Sequence, residues 1–320
     1  MSEILKTLWG KIHAWAFPSA LTLGVYWLFV YPRSAIGHGW LADTTDAEKA
    51  AIFAALTAVL AYILNAFSTP LYRILEGYLL WPRWLQDRGV VRQRARKKAL
   101  EGASTGSGWR RGLALEKLAL YPKRDEQIVP TRFGNAIRSF ETYGKTRFNL
   151  DSQTLWHELQ AVVPKYIQSE IQDARSSVDF FVALIYLSAA LGLATLVIAG
   201  LEGFEASLLL IGILCFVASF TCHWLAVRAT ADWSYAVHAL VNIGRVKLAD
   251  SLGLQLPDTL EAEKTMWGLV THYGFFADAP EGLLLDQFRK KMQDAAPEGL
   301  GATNDAGVAD DDDDDEDDGT

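Results

Sequence analysis

The residues best equipped for chemistry lie between Val129 and Pro164, where Thr131, Arg132, Asn135, Arg138, Glu141 and Asp151 are interleaved with aromatic and turn residues. Arginine captures phosphate or carboxylate through paired N–H donors, so this group has the types needed to line a polar pocket. The same residues equally suit a helical hub that pairs its own charges and caps its neighbour. Gly102–Gly106 spells G-x-S-x-G, but a nucleophile elbow needs a buried strand before it, and here a basic polar helix precedes it. His157 and Glu158 open like a zinc-protease motif, yet HELQA lacks the second histidine. His223, beside Trp224 at the end of an apolar run, reads as an interfacial residue. Cys215 and Cys222 share one apolar run and read as small packing residues, so no disulfide, metal or cofactor is expected.

The elements that must position these residues come from a chain of 320 residues that is 50% apolar. Its apolar excess is gathered in runs close to the roughly 20 residues an α-helix needs to cross about 30 Å of hydrocarbon. Residues 1–14 place Lys6 and Lys11 among Ile4, Leu5, Leu8 and Trp9, a pattern for a helix lying at a membrane surface. A first transmembrane hairpin is expected over 15–81, with spans Trp15–Tyr31 and Ala50–Leu71, the second bent by Pro70. Bulky Tyr31, Pro32 and Arg33 follow the first span, so it reads as an uncleaved anchor rather than a signal peptide. A helical hub over 82–179 follows, then a second hairpin over 180–227 with spans Phe180–Gly200 and Ala206–Val227. Helices over 228–300 and a disordered acidic tail over 301–320 complete the chain. The expected fold class is all-α: an integral membrane protein with four transmembrane helices and a helical cytosolic domain.

Charge sets the expected orientation. The net charge of -8 is dominated by the unbroken acidic run Asp310–Asp318, without which the chain is near neutral. Immediately after the second span, Arg83, Arg88, Arg92, Arg94, Arg96, Lys97 and Lys98 face a single Asp87. Basic residues beside spans are retained in the cytoplasm, which puts both termini inside. Their place next to a span points to anionic lipid headgroups rather than nucleic acid. The spans carry no Asp, Glu, Lys or Arg in their central parts, which argues against ion-coupled transport. Gly192 and Gly212 permit close helix approach, and Asn65, Ser68, Thr195, Ser219 and Thr221 offer hydrogen bonds between helices.

The phrase Pro130-Thr131-Arg132-Phe133-Gly134-Asn135, followed by Arg147-Phe148-Asn149-Leu150-Asp151 and Leu155-Trp156, resembles a group of bacterial four-span integral membrane proteins with a cytoplasmic middle region. The likeness extends to Leu252-Gly253-Leu254 and Leu256-Pro257. It implies a layout and a location, the bacterial cytoplasmic (inner) membrane, and no catalytic role. Three functions fit the sequence. The first is a non-enzymatic scaffold or sensor presenting cytosolic helices to a protein partner. The second is a homo-oligomeric channel or membrane-perturbing effector. The third is a membrane-surface enzyme using the hub arginines and carboxylates.

Overall fold

The computed structural model describes residues 12–35, 43–275 and 280–290, and among these every regular element is helical. Most of the expected surface helix over 1–14, and the whole acidic tail, lie outside the described residues. Helix α1 (Ala14–Arg33) pairs with α2 (Asp46–Ala66) in a first apolar hairpin. A reciprocal cap starts α2: Glu48 N donates to Thr45 Oγ1, and Thr45 N donates to the Glu48 carboxylate. The rod bends at Phe67 into α3 (Ser68–Glu76), because Pro70 has no N–H to offer the preceding turn. Gly77, at φ 92°, stops α3 in the left-handed conformation that favours glycine.

A polar hairpin of α4 (Arg83–Ser104) and α5 (Gly108–Leu118) leads to the hub helices α6 (Arg132–Glu141), α7 (Tyr143–Phe148) and α8 (Trp156–Val162). The chain then makes its two longest elements, α9 (Lys165–Leu201) and α10 (Ala206–Ser251), of 37 and 46 residues. At 1.5 Å per residue they extend for about 56 and 69 Å. The last elements are α11 (Leu260–Phe275) and a short 3-10 turn, Pro280–Phe288. Four helices, α1, α2, α9 and α10, are long and apolar enough to cross a membrane.

Small residues decide how α9 and α10 meet. A Cβ on Gly192 would sit 3.1 Å from the Gly212 carbonyl, so the two backbones touch where both lack side chains. Ser219 Oγ donates to Ile185 O at 2.9 Å across the same pair. At the end remote from the hub, Ser34 Oγ donates to Glu202 Oε1 at 3.0 Å and ties the two hairpins together. Val30, Ala199 and Leu208 pack beneath that contact.

At the other end the same two helices leave the apolar zone without a break and become walls of the polar domain. One core sits at the junction, where Phe133, Ile137 and Phe140 of α6 pack against Val178 and Val182 of α9 and Val237 of α10. A second core lies farther along, where Leu159 and Ile171 meet Leu240, Val241 and Leu248 of α10 and Met266 and Trp267 of α11.

The hub helix closes at Glu141, and Gly144 lies inside α7, where a Cβ would come within 2.7 Å of the Leu150 carbonyl. The left-handed residue that ends α7 is Asn149, φ 59°. Asp151 caps a turn instead of α8: its Oδ1 accepts from Gln153 N at 3.1 Å and Thr154 N at 3.3 Å, and α8 begins only at Trp156.

Gly134 shows how tightly α6 is docked. A Cβ there would lie 2.7 Å from Val129 Cγ2 and 2.8 Å from the Glu76 carbonyl. Gly134→Ala is therefore expected to destabilise the protein by about 1–3 kcal/mol through overpacking. Chemical denaturation in detergent measures this as a lowered midpoint with unchanged slope.

Candidate functional site

The structure divides the six candidate hub residues among four places. Thr131 and Asn135 build a buried staple. Thr131 caps α6, accepting from Gly134 N at 2.9 Å, and its hydroxyl donates to Leu75 O at 2.7 Å, which fastens α6 to α3. Asn135, fully buried, donates to Val129 O at 2.8 Å and Thr131 O at 2.6 Å and accepts from Val129 N at 3.0 Å. Arg132 is exposed on the first turn of α6. Asp151 belongs to the turn before α8, where its Oδ2 lies 3.5 Å from Lys145 Nζ. Arg138 and Glu141 stay together at 3.4 Å, near the C-terminal end of α6.

Glu141 also lines a pocket of about 140 Å³ between α3, α6, α9 and α10. Helix α3 supplies Ser68, Thr69, Tyr72, Arg73 and Glu76; α6 adds Ile137 beside Glu141; α9 supplies Arg175 and α10 Trp233. The spacing 69, 72, 73, 76 is that of one helical face, so α3 turns a single polar stripe toward the space. The Tyr72 hydroxyl donates to Asp179 Oδ1 at 2.7 Å, and Arg175 lies 3.8 Å from the same carboxylate. Arg175 also stands over the Trp233 ring, 5.9 Å from its centroid. Trp233 Nε1 is shielded from solvent and finds no acceptor among the described residues.

Burial, reinforced by the Glu141 charge and opposed by Arg73 and Arg138, pushes the Glu76 carboxyl up to about 7. Because its folded value lies above the unfolded one, the folded state holds more protons between about pH 4.5 and 7. The stability Glu76 contributes is thus present at the acid end of that window and lost as pH rises through 7. Glu76→Gln is expected to raise the melting temperature relative to wild type at pH 8 and to leave the two alike near pH 5, as read by a thermal shift series.

The sequence marks Ser68 only as a hydroxyl for helix packing, and it does not single out Thr69, Tyr72, Arg73, Glu76 or Arg175. The available signal was Ser68-Thr69-Pro70-Leu71-Tyr72-Arg73-Ile74-Leu75-Glu76, an amphipathic segment placed directly after an apolar span. The basic stretch also divides. Arg83, Arg88, Arg92, Arg94 and Lys98 are exposed and Arg96 is half-buried, but Lys97 is buried. Its Nζ donates to Lys123 O at 2.9 Å and Asp125 Oδ1 at 2.7 Å, which takes it away from headgroups and holds the Asp125 carboxyl below its usual range. Trp84 and Trp109 are exposed on the same hairpin, each under an arginine: Arg88 at 5.5 Å and Arg110 at 5.5 Å from the ring centroids.

Among the described residues no three His, Cys, Asp or Glu side chains gather closely enough to hold a metal ion. The class these observations define is an all-α, multi-pass protein with four candidate membrane spans and a mixed-charge pocket where the spans meet a helical domain. Comparison of the chain with protein-family models, curated proteins and solved structures finds no match.

Proposed function

We propose that the protein is a non-enzymatic scaffold or sensor in the bacterial cytoplasmic membrane, with both termini and the helical domain in the cytoplasm and a protein partner on that domain. The orientation is supported by the exposed arginines of α4 beside the span exit, and by the lack of any Lys or Arg in the remote turn Leu201–Glu205. The observation that carries the reading is the continuity of α10. Its first half is an apolar span and its second half buries Leu240, Val241 and Leu248 in the domain core. The helix runs unbroken from one to the other, so a displacement among the spans has a continuous covalent and hydrogen-bonded route to the cytoplasmic surface.

The cytoplasmic half of α10 also presents Tyr235, Ile243 and Val246 to solvent, at 66, 39 and 46% exposure. Ile243 and Val246 lie 16 and 19 residues past Val227, about 24 and 29 Å along the axis at 1.5 Å per residue, beyond the reach of lipid. A protein surface is the fitting cover for such a stripe. Ile243→Asp/Val246→Asp is expected to abolish recovery of a defined partner in reciprocal pull-downs from nanodiscs while leaving expression and melting temperature within a few degrees of wild type. Recovery of only a closed homo-oligomer, unchanged by the double variant, contradicts the scaffold reading and favours a pore.

A further inference from the structure

The pocket offers both signs of charge at the level where the apolar helices end. Ser68 lies two residues past the end of α2, and Arg175 five residues before Phe180, where the apolar run of α9 begins. Trp233 is six residues past Val227, about 9 Å along α10. The headgroup layer adds about 5–8 Å on each side of the hydrocarbon, so this space adjoins it.

Its arginines have donors to spare. Arg73 reaches Glu76 only at 3.9 Å and Arg175 reaches Asp179 only at 3.8 Å, with both arginine side chains more than half exposed. A committed charge-assisted hydrogen bond is about 2.7–2.9 Å, so neither guanidinium is used up by its neighbour. Ser68 and Thr69 add hydroxyls to the same lining. The Glu76 and Glu141 side chains, 12 and 30% exposed, supply acceptors beside them. Carboxylates so shielded gain from a small cation that can give them hydrogen bonds.

We propose that this pocket binds the phosphoethanolamine headgroup of a phospholipid, with its phosphate on Arg73, Arg175 and the Ser68 and Thr69 hydroxyls and its ammonium on Glu76 and Glu141. A choline headgroup has no N–H to give the carboxylates, and a glycerol headgroup has no cation. A space of about 140 Å³ suits a small polar headgroup and leaves the acyl chains in lipid. The assignment stands apart from the partner surface on α10.

Proton competition offers a test that needs no variant. The groups facing Glu76 are Tyr72 and Arg73 on its own helix and Tyr78 just after it, Glu141 and Arg138 on α6, and Arg175 among the pocket lining from α9, where Asp179 accepts from the Tyr72 hydroxyl; α10 contributes the uncharged Trp233. Burial already raises the Glu76 carboxyl to about 7, so acid removes one of the two ammonium acceptors.

The experiment is native mass spectrometry of the full chain released from nanodiscs holding equal phosphatidylethanolamine, phosphatidylcholine and phosphatidylglycerol. At pH 8 the ethanolamine lipid should be retained about tenfold over the choline lipid, the discrimination expected of one hydrogen bond to a charged group. That ratio should fall toward one at pH 5.5 and in Glu76→Gln/Glu141→Gln, while Arg73→Ala/Arg175→Ala should lose both lipids. Equal retention of the two lipids by the wild-type protein, or a ratio indifferent to pH, overturns the proposal even if every variant misfolds. Displacement of the bound lipid by equimolar soluble glycerophosphoethanolamine overturns the lipid as the source and assigns the same chemistry to a free ligand.

Discussion

Replacing Asn135 with alanine should destabilise the protein by about 2–6 kcal/mol, although the side chain touches neither the pocket nor solvent. The variant removes one acceptor and one donor group that together satisfy both the N–H and the carbonyl of Val129. Val129 is itself buried, so water cannot take over, and each orphaned backbone group costs about 1–3 kcal/mol. The Thr131 carbonyl is less affected, since it keeps Asn135 N at 3.1 Å. Asn135→Asp keeps an oxygen for Val129 N but loses both side-chain N–H bonds, and should also destabilise. Arg132→Ala, on an exposed position three residues earlier, should stay within about 0.5 kcal/mol of wild type. Denaturant midpoints for the three variants check the set, and an Asn135→Ala protein as stable as Arg132→Ala contradicts the staple.

The second large effect belongs to Trp267. It is fully buried between the hub and α10, and Trp267→Ala should cost about 3–5 kcal/mol, against a total of about 5–15 for a typical domain. Part of that cost is polar. Trp267 Nε1 donates to Glu263 Oε1 at 3.2 Å, the oxygen that also accepts from Arg245 Nη1 at 2.6 Å. Arg245 in turn stands over the Phe148 ring at 4.3 Å, so the carboxylate that the indole holds anchors the arginine that links α7, α10 and α11. Trp267→Phe, which keeps a ring and loses only the hydrogen bond, should cost about 0.5–3 kcal/mol. Hydrogen exchange provides the spatial readout: protection should fall in α11 and α8 while the α1–α2 hairpin keeps its rates. Uniform loss across both regions would mean that the two cores do not unfold separately.

The sequence announces the four long apolar helices because each candidate span carries its own signal. Uncharged length, aromatic flanks and the Arg83–Lys98 asymmetry are all local, and helices α1, α2, α9 and α10 lie where those signals place them. The unbroken passage of α10 into the polar domain was readable for the same reason, since helical periodicity continues past Arg228 up to Gly253. The candidate site behaves otherwise. Clustering in sequence brought Thr131, Arg132, Asn135, Arg138, Glu141 and Asp151 into one group, but successive residues of a helix point around its whole circumference. Only Glu141 of the six lines the pocket. Apart from Ile137 on the same helix, its companions arrive from residues 68–76, 175 and 233, a convergence created by tertiary packing. Lys97 shows the same limit: only the fold brings Asp125 and the Lys123 carbonyl beneath a lysine that otherwise belongs to a basic run.

The proposed orientation places the helical domain in the cytoplasm and the Leu201–Glu205 turn outside. It is tested most directly by labelling single cysteines in intact and permeabilised cells with a membrane-impermeant maleimide, after replacing Cys215 and Cys222. A cysteine at Gly203 should label in intact cells, whereas cysteines at Arg88, Tyr235 and Asp250 should label only after permeabilisation. Labelling of Arg88, Tyr235 or Asp250 positions from outside, or protection of the Gly203 position, would contradict the claim.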